Sequence, residues 1–448
     1  MDPLTRISPL DGRYASQLTE LNKFFSDFAY FKYRLLVEIK YLLFLSSEKI
    51  IEPITKKQAD KINRLWREFS HADAKRIKTI EDKIKHDVKA IEYFLQEKFA
   101  KKNLSVFASY LHLCLTSDDV NNLAYSLMLL QSKKEIILPE LKKIMEQLKI
   151  LIKIYADSAM LGRTHGQPAV PTTFGKELAN FYQRLKKQEE KLSRFTFEGK
   201  LSGAVGNFNA MAFVFPTVDW LQKSKKFVSS LGLQPNLYTT QILPYDNWIE
   251  FFQTLALVNQ ILMNLSQDVW IYIMLEDLKL KVVEKEVGSS TMPQKVNPIN
   301  FENAEGNLQI ANSLFQFFQN KLSVSRLQRD LSDSPVKRSM GSALGYTIVA
   351  WKSLQLGLAK IDVNRQKSNE TLNNHWEVLT EAVQTFLRLK KDSKGYDKVK
   401  DLVRGKQLNK EDYLELLKQL GLANEEKLVK LKPENYLGLA KKLVGLIK

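Results

Sequence analysis

Residues 251–272 read FFQTLALVNQILMNLSQDVWIY, and this stretch decides the fold class. Phe251, Leu255, Val258, Leu262, Leu265, Val269 and Tyr272 fall alternately four and three residues apart, the spacing of a seam between helices of a bundle. Phe252, Met263, Trp270 and Ile273 add apolar surface on another side. A helix apolar on more than one face lies buried among others. Neither proline nor glycine occurs across residues 245–287, and at ~1.5 Å per residue a continuous helix there would be about 65 Å long.

Outward from this stretch the chain keeps reading as helix. Residues 24–100 show helical patterns, a long one runs from 121 to 156 with a bend expected at Pro139, and another covers 174–198. The least helical part is 199–245, with Gly199, Gly203, Gly206, Pro216, Gly232, Pro235 and Pro244. From Asp362 onward the chain is lysine-rich with shorter helices and reads as a smaller terminal domain. An all-α protein of about three domains suits 448 residues.

Composition narrows the function classes. Apolar residues make up 44% and charged residues 26%, the balance of a globular chain. No apolar run approaches the ~18 residues of a membrane span, and the first residues lack the apolar core of a signal peptide, so a cytoplasmic location is expected. The single Cys114 agrees with a reducing compartment. A net charge of +17 invites a nucleic-acid reading. Against that, the lysines are dispersed in pairs mixed with acids, with no basic-aromatic motif. The excess reads as a solvated face that can steer a small anionic substrate.

The polar interruptions between helices carry the chemistry. Residues 288–298, GSSTMPQKVNP, open on a glycine, close on a proline and hold three hydroxyls, the Lys295 ammonium and the amides of Gln294 and Asn297. Backbone N–H groups converging in such a loop bind oxyanions. Asn297 reads as the cap and Pro298 as the first residue of the next helix, which would aim its dipole at the loop. Residues 161–171 form a second interruption, an irregular loop fixed by two glycines and two prolines that presents Arg163, Thr164, His165 and Gln167. Histidine there is a candidate acid or base. Thr116 or Ser117 caps the helix starting near Asp118; a capped start needs no ligand, yet its free N–H groups suit an anion. His86 begins a further helix beside Asp87, where it is either a plain cap or a ligand contact. Arg13 and Tyr14 stand in the turn-rich segment SPLDGRY at 8–14. Within 325–338, SRLQRDLSDSPVKR, three arginines and a lysine interleave with Asp and Ser, which reads as an anion clamp or a salt-bridged connection. Ser202-Gly203 and Thr239-Thr240-Gln241 offer small polar groups.

Residues 288–298 resemble the defining loop of the fumarase/aspartase superfamily, RTHGQP at 163–168 is similar to its histidine loop, and TSDD at 116–119 matches its third shared region. Within the superfamily, SPLDGRY at 8–14, HDVKAIEYF at 86–94, TTQI at 239–242 and QRDLSDS at 328–334 resemble the bacterial adenylosuccinate lyase branch. The resemblance covers essentially the whole chain. It implies three all-helical domains, 1–108, 109–361 and 362–448, the middle one giving five long helices to the twenty-helix core of a homotetramer whose active sites draw on three subunits. It implies fumarate elimination from a succinylated purine nucleotide, without metal or redox cofactor.

By the same resemblance Ser289 is the base, His165 the acid, and Lys295 and the loop amides around Ser290 and Met292 stabilise the charge. Thr116, Ser117 and Asn297 would bind the succinyl carboxylates. Arg13, Tyr14, Arg329, Ser334 and Arg338 would hold phosphate and ribose, with His86, flanked by Lys85 and Asp87, at the phosphate end, and Gln241 would position the substrate. The sequence departs from the branch at Lys85, Gln294, Pro335 and Lys337. Another fumarate-releasing lyase, of the argininosuccinate type, and an inactive helical scaffold are the alternatives. Arg13, Tyr14, Arg329 and Arg338 speak for a phosphorylated substrate.

Overall fold

The computed structural model describes residues 3–282 and 291–447, and these are overwhelmingly helical. Among them, strands form only short two-stranded ribbons. The principal helices are α1 (Asp27–Ser47), α2 (Lys56–Arg67), α3 (His71–Ile84), α4 (Asp87–Lys101), α5 (Ser117–Ser132), α6 (Leu138–Ile154), α7 (Phe174–Arg194), α8 (Trp220–Ser230), α9 (Asp246–Met274), α10 (Ile299–Leu322), α11 (Asp333–Arg338) and α12 (Met340–Lys360). The chain divides into two compact units, residues 1–140, 189–259 and 307–349 forming the first, and 141–188, 260–306 and 350–448 the second.

In the first unit, α1 packs against α5, and Leu35, Ile39, Leu42, Val120, Leu123 and Leu127 on these helices are all buried. The seam on α9 is buried as its spacing requires, with Phe251, Leu255 and Val258 inaccessible to solvent. Phe252 lies 5.5 Å from Phe315 and 5.4 Å from Phe318 between ring centres. A polar knot ties α9, α10 and α12 together: Asn259 Nδ2 donates to Asn312 Oδ1 and to Thr347 Oγ1, each at 3.1 Å. A buried amide left unsatisfied would cost ~1–3 kcal/mol, so the knot also fixes the helices' register.

In the second unit the seam continues through Leu262, Leu265 and Val269, and Phe174 packs edge-on against Tyr272 at 5.9 Å. Trp270 donates from Nε1 to Glu302 at 3.1 Å. The terminal segment has its own core, in which Trp376, Leu379, Tyr413 and Leu417 are buried together.

Four local expectations are corrected. The helix beginning near Pro244 ends at Met274, not at 287: Glu276 turns the chain with φ +62° and Leu278–Leu280 pairs antiparallel with Ile361–Val363. The long pattern of 121–156 is divided by a π-turn, Lys133–Ile137, just before Pro139, where a wider turn relieves the clash of the proline ring with the carbonyl four residues back. The loop of 161–171 is regular at its tip, Arg163–Thr164 pairing with Gln167–Pro168. Its tip residues His165 and Gly166 have φ of +52° and +73°, the mirror-image turn that matches the twist of a hairpin. Finally, α10 starts one residue later than expected, with Pro298 supplying the carbonyl that accepts the Phe301 N–H at 3.0 Å.

Candidate active site

The first unit holds a cavity of about 410 Å³ lined by His86, Asp87, Thr116, Ser117, Asn121, Gln241, Arg329, Asp330, Leu331 and Ser334. This volume suits a small polar ligand. Each lining group is presented by a helix end or a loop that the surrounding packing holds.

The wall at His86 is a helix junction. Lys85 closes α3 in the left-handed conformation, φ +56°, and the chain re-enters α4 through His86, whose Nδ1 accepts the Lys89 N–H at 3.2 Å. The imidazole stays half exposed, with its other nitrogen free of that cap. Asp87 is half-buried and paired with the protein: Oδ1 accepts Val88 N–H at 2.8 Å, while Oδ2 pairs with the buried Arg34 and with Arg338. Burial would raise its pKa, but the guanidiniums of Arg34 and Arg338 outweigh that and hold it below the ordinary aspartate value. Arg34 also donates from Nε to Asn121 Oδ1 at 2.9 Å and lies 3.7 Å above the ring of Tyr30, whose hydroxyl bonds the same Asn121 oxygen at 3.0 Å. Asp87 and Arg34 therefore fix Asn121 and Arg338.

The start of α5 hangs on Asp119, which is wholly buried. Its Oδ2 accepts the N–H groups of Thr116 at 2.9 Å and Gly203 at 3.2 Å; its Oδ1 accepts Ser202 N–H and Lys200 Nζ, both at 3.0 Å. One carboxylate thus binds the 116–117 corner to the 199–203 loop. Ser202 Oγ then meets Thr239 Oγ1 at 2.8 Å, and Gln241 N–H donates to Gln328 O at 3.2 Å. Arg329 reaches the cavity from there and donates from Nη1 to Gln241 Oε1 at 3.3 Å. Beneath it, Lys337, Tyr245, Asp118 and Asp333 form a buried charged cluster.

The sequence-derived site residues separate by unit. His86, Asp87, Thr116, Ser117, Gln241, Arg329 and Ser334 come together in this cavity. Arg338 lines a smaller neighbouring cavity of about 140 Å³ with Ser8 and Asp11 of the terminal arm. Arg13 is exposed, Tyr14 half-buried and Lys85 exposed, and none of the three lines the larger cavity. In the second unit, His165 is exposed at its hairpin tip, Lys295 and Met292 are exposed with Lys295 N–H donating to Met292 O at 3.1 Å, and Asn297 is half-buried. Ser289 and Ser290 lie outside the described residues. Sequence reasoning missed Arg34, Tyr30, Asn121, Asp118, Tyr245 and Asp333. For Arg34 a signal existed: it shares the apolar stripe of Phe31, Leu35 and Leu42, and a charge on a buried stripe needs a partner.

Comparison with known proteins identifies the family. Residues 12–311 match the family model described as lyase, and residues 325–437 match adenylosuccinate lyase C-terminal. The chain is 45% identical over 447 residues to adenylosuccinate lyase of Legionella pneumophila, covering 98% of each. It is 44% identical to adenylosuccinate lyase of Escherichia coli, covering all of both chains. In fold it resembles a fumarate lyase from Mesorhizobium, TM-score 0.76 at 20% identity, over 95% of this chain and 96% of that one. It also resembles a 3-carboxy-cis,cis-muconate lactonizing enzyme from Pseudomonas putida, TM-score 0.77 at 19% identity, over 95% of each. With family models matching both parts and identity of this level over its full length, the chain belongs to the adenylosuccinate lyase family.

Proposed function

We propose that the protein is a carbon–nitrogen lyase that eliminates fumarate from adenylosuccinate, giving AMP, and from the succinylated aminoimidazole carboxamide ribotide of purine biosynthesis. The observation that carries this reading is the cavity of the first unit, where His86, Thr116, Ser117, Gln241, Arg329 and Ser334 meet from well-separated segments. A guanidinium, an imidazole, hydroxyls and an amide around about 410 Å³ suit the phosphate and ribose of a nucleotide.

The resemblance of the 288–298 and 163–168 loops to those of the superfamily implies the remaining roles. Ser289, as its alkoxide, takes the proton from the carbon beside a succinyl carboxylate; the C–N bond breaks, and His165 protonates the departing nitrogen. The intermediate gathers negative charge next to the carboxylate, so fixed positive charge and N–H donors must already face it. Lys295 and the amides near Ser290 and Met292 supply them, and they also lower the cost of the serine alkoxide. Thr116, Ser117 and Asn297 bind the carboxylates, and Arg13, Tyr14, Lys85 and Arg338 complete the nucleotide end.

The full site requires association into a homotetramer in the cytoplasm, with the middle of three domains, 109–361, forming its core. Exposed apolar side chains on the long helices support that: Leu257, Trp270, Ile271 and Met274 on α9, Ile310 and Phe317 on α10, and Leu356 on α12. Single apolar residues are normal on a surface, but a row of them along bundle helices points to a partner.

Incubation of the purified protein with adenylosuccinate or with argininosuccinate, followed by chromatography of fumarate and nucleotide, tests the reading. AMP and fumarate should appear in equal amounts from the first substrate only. Fumarate from argininosuccinate alone would replace the reading with that of a different lyase.

A further inference from the structure

The Lys337 ammonium is buried, with a side chain only 3% exposed. Nζ lies 2.7 Å from Asp333 Oδ2, 2.7 Å from the Tyr245 hydroxyl oxygen and 3.4 Å from Asp118 Oδ1. The Tyr245 hydroxyl in turn donates to Asp333 Oδ2 at 2.8 Å. Burial would depress the lysine pKa, yet Asp118 and Asp333 more than offset it and hold it above the ordinary value. The cluster therefore contains two carboxylates and, counting Arg329 at the cavity wall, two cations.

The distances divide these charges unequally. Arg329 Nη1 stands 3.7 Å from Asp118 Oδ1 and Nη2 stands 3.9 Å from Asp333 Oδ1, beyond hydrogen-bond range in both cases. Among the described residues, Asp333 Oδ1 and Asp118 Oδ2 are buried acceptors without a hydrogen-bond partner. Arg329 is thus beside one open acceptor, Asp333 Oδ1, four residues on along the chain, and still donates to Gln241 at the cavity instead. The other oxygen of Asp333, Oδ2, is already taken up by Lys337 Nζ at 2.7 Å and the Tyr245 hydroxyl at 2.8 Å, so the charge of that carboxylate is answered without Arg329. A bridged arginine would have both its geometry and much of its charge committed to the protein interior.

We propose that Lys337 is a positioning residue for substrate binding: by neutralising Asp118 and Asp333 beneath the cavity, it leaves the Arg329 guanidinium available to the anionic end of the nucleotide. The proposal rests on the lyase reading above. Lys337 touches no substrate, and its effect belongs to binding rather than to the chemical step.

The test is AMP binding by calorimetry, beside steady-state turnover of adenylosuccinate, in wild type, Lys337→Met, Asp333→Asn and the double variant. Methionine keeps the stem and removes the charge, leaving the cluster one negative charge in excess. AMP affinity and KM should then worsen roughly 10- to 100-fold, the size of a lost charge-assisted contact, with kcat within about 3-fold. The double variant restores charge balance and should recover AMP affinity to within about 3-fold of wild type. A purely structural role would give the double variant no recovery, and that result overturns the proposal, as does wild-type AMP affinity in Lys337→Met. If Lys337→Met does not fold, the double variant is compared with Asp333→Asn, which changes no shape. Equal affinity within about 3-fold supports the proposal, and a tenfold loss in the double overturns it. A wild-type protein that neither releases fumarate nor binds AMP removes the lyase reading itself, whereas turnover and AMP binding that Lys337→Met leaves intact remove only the role of Lys337.

Discussion

At the scale of single residues, the one guanidinium among the described residues lining the cavity is that of Arg329, which is hydrogen-bonded to the Gln241 amide and stands 3.7 Å from Asp118 and 3.9 Å from Asp333. Arg329→Ala should weaken AMP binding roughly 10-fold or more while leaving inhibition by fumarate nearly unchanged. Equal losses for both ligands would place it at the succinyl end. Ser289→Ala and His165→Ala should each lower kcat by roughly 10²–10⁴ with melting temperatures unchanged, and a near-normal rate in either would remove that residue from proton transfer. A third residue pair offers a pH signature away from the cavity. His112 Nδ1 meets the buried Glu38 at 2.6 Å. Burial alone would lower the imidazole pKa, but Glu38 beside it raises it above the ordinary value. A pKa raised on folding adds stability that is complete below the unfolded value near ~6.5 and disappears as pH climbs through the folded one. The melting-temperature gap between wild type and Glu38→Gln should therefore narrow from about pH 5.5 to about pH 8.5, and a gap that widens contradicts the pairing.

At the scale of elements, the site is made where helices stop. Lys85 ends α3 in the left-handed region, at φ +56°, which strains any residue with a Cβ. Lys85→Gly should stabilise the protein by roughly 0.5–1 kcal/mol in chemical denaturation. If the lysine also serves the nucleotide, KM will rise in the same variant. Gly206 is the reverse case, with φ +85° and a Cβ position only 2.1 Å from the Thr239 carbonyl oxygen. Gly206→Ala should cost roughly 2 kcal/mol or more and raise KM through the displaced 239–241 loop, as melting and kinetics would show. These ends also mark how far the sequence could be read. The α9 seam was legible because burial enforces a spacing that survives in the apolar residues themselves. The stop at Met274 was not, since the ribbon of Leu278–Leu280 depends on Ile361–Val363 far along the chain. Likewise Thr116, Gln241 and Arg329 were legible as polar groups in turn-rich segments. Asp118 and Tyr245 were not, because they lie within helices or beside them and acquire meaning only through Lys337 and Asp333.

At the scale of the whole molecule, the family is shown by similarity along the full chain, and the proposed assembly finds support in apolar side chains exposed along the long helices. Sedimentation should give a species of about four times the 51.7 kDa chain mass, and Phe317→Glu should reduce it with loss of turnover. A fully active monomer would contradict an active site shared between subunits. Among the described residues no helix is long and apolar enough to cross a membrane. The broad charge of +17 is spread over paired lysines mixed with acids and suits the steering of an anionic substrate. The most direct measurement is a crystal structure of the protein with AMP. Its phosphate or ribose should lie within hydrogen-bond distance of Arg329 in the cavity bounded by His86, Gln241 and Ser334. AMP bound with that cavity vacant would contradict the assignment of this site.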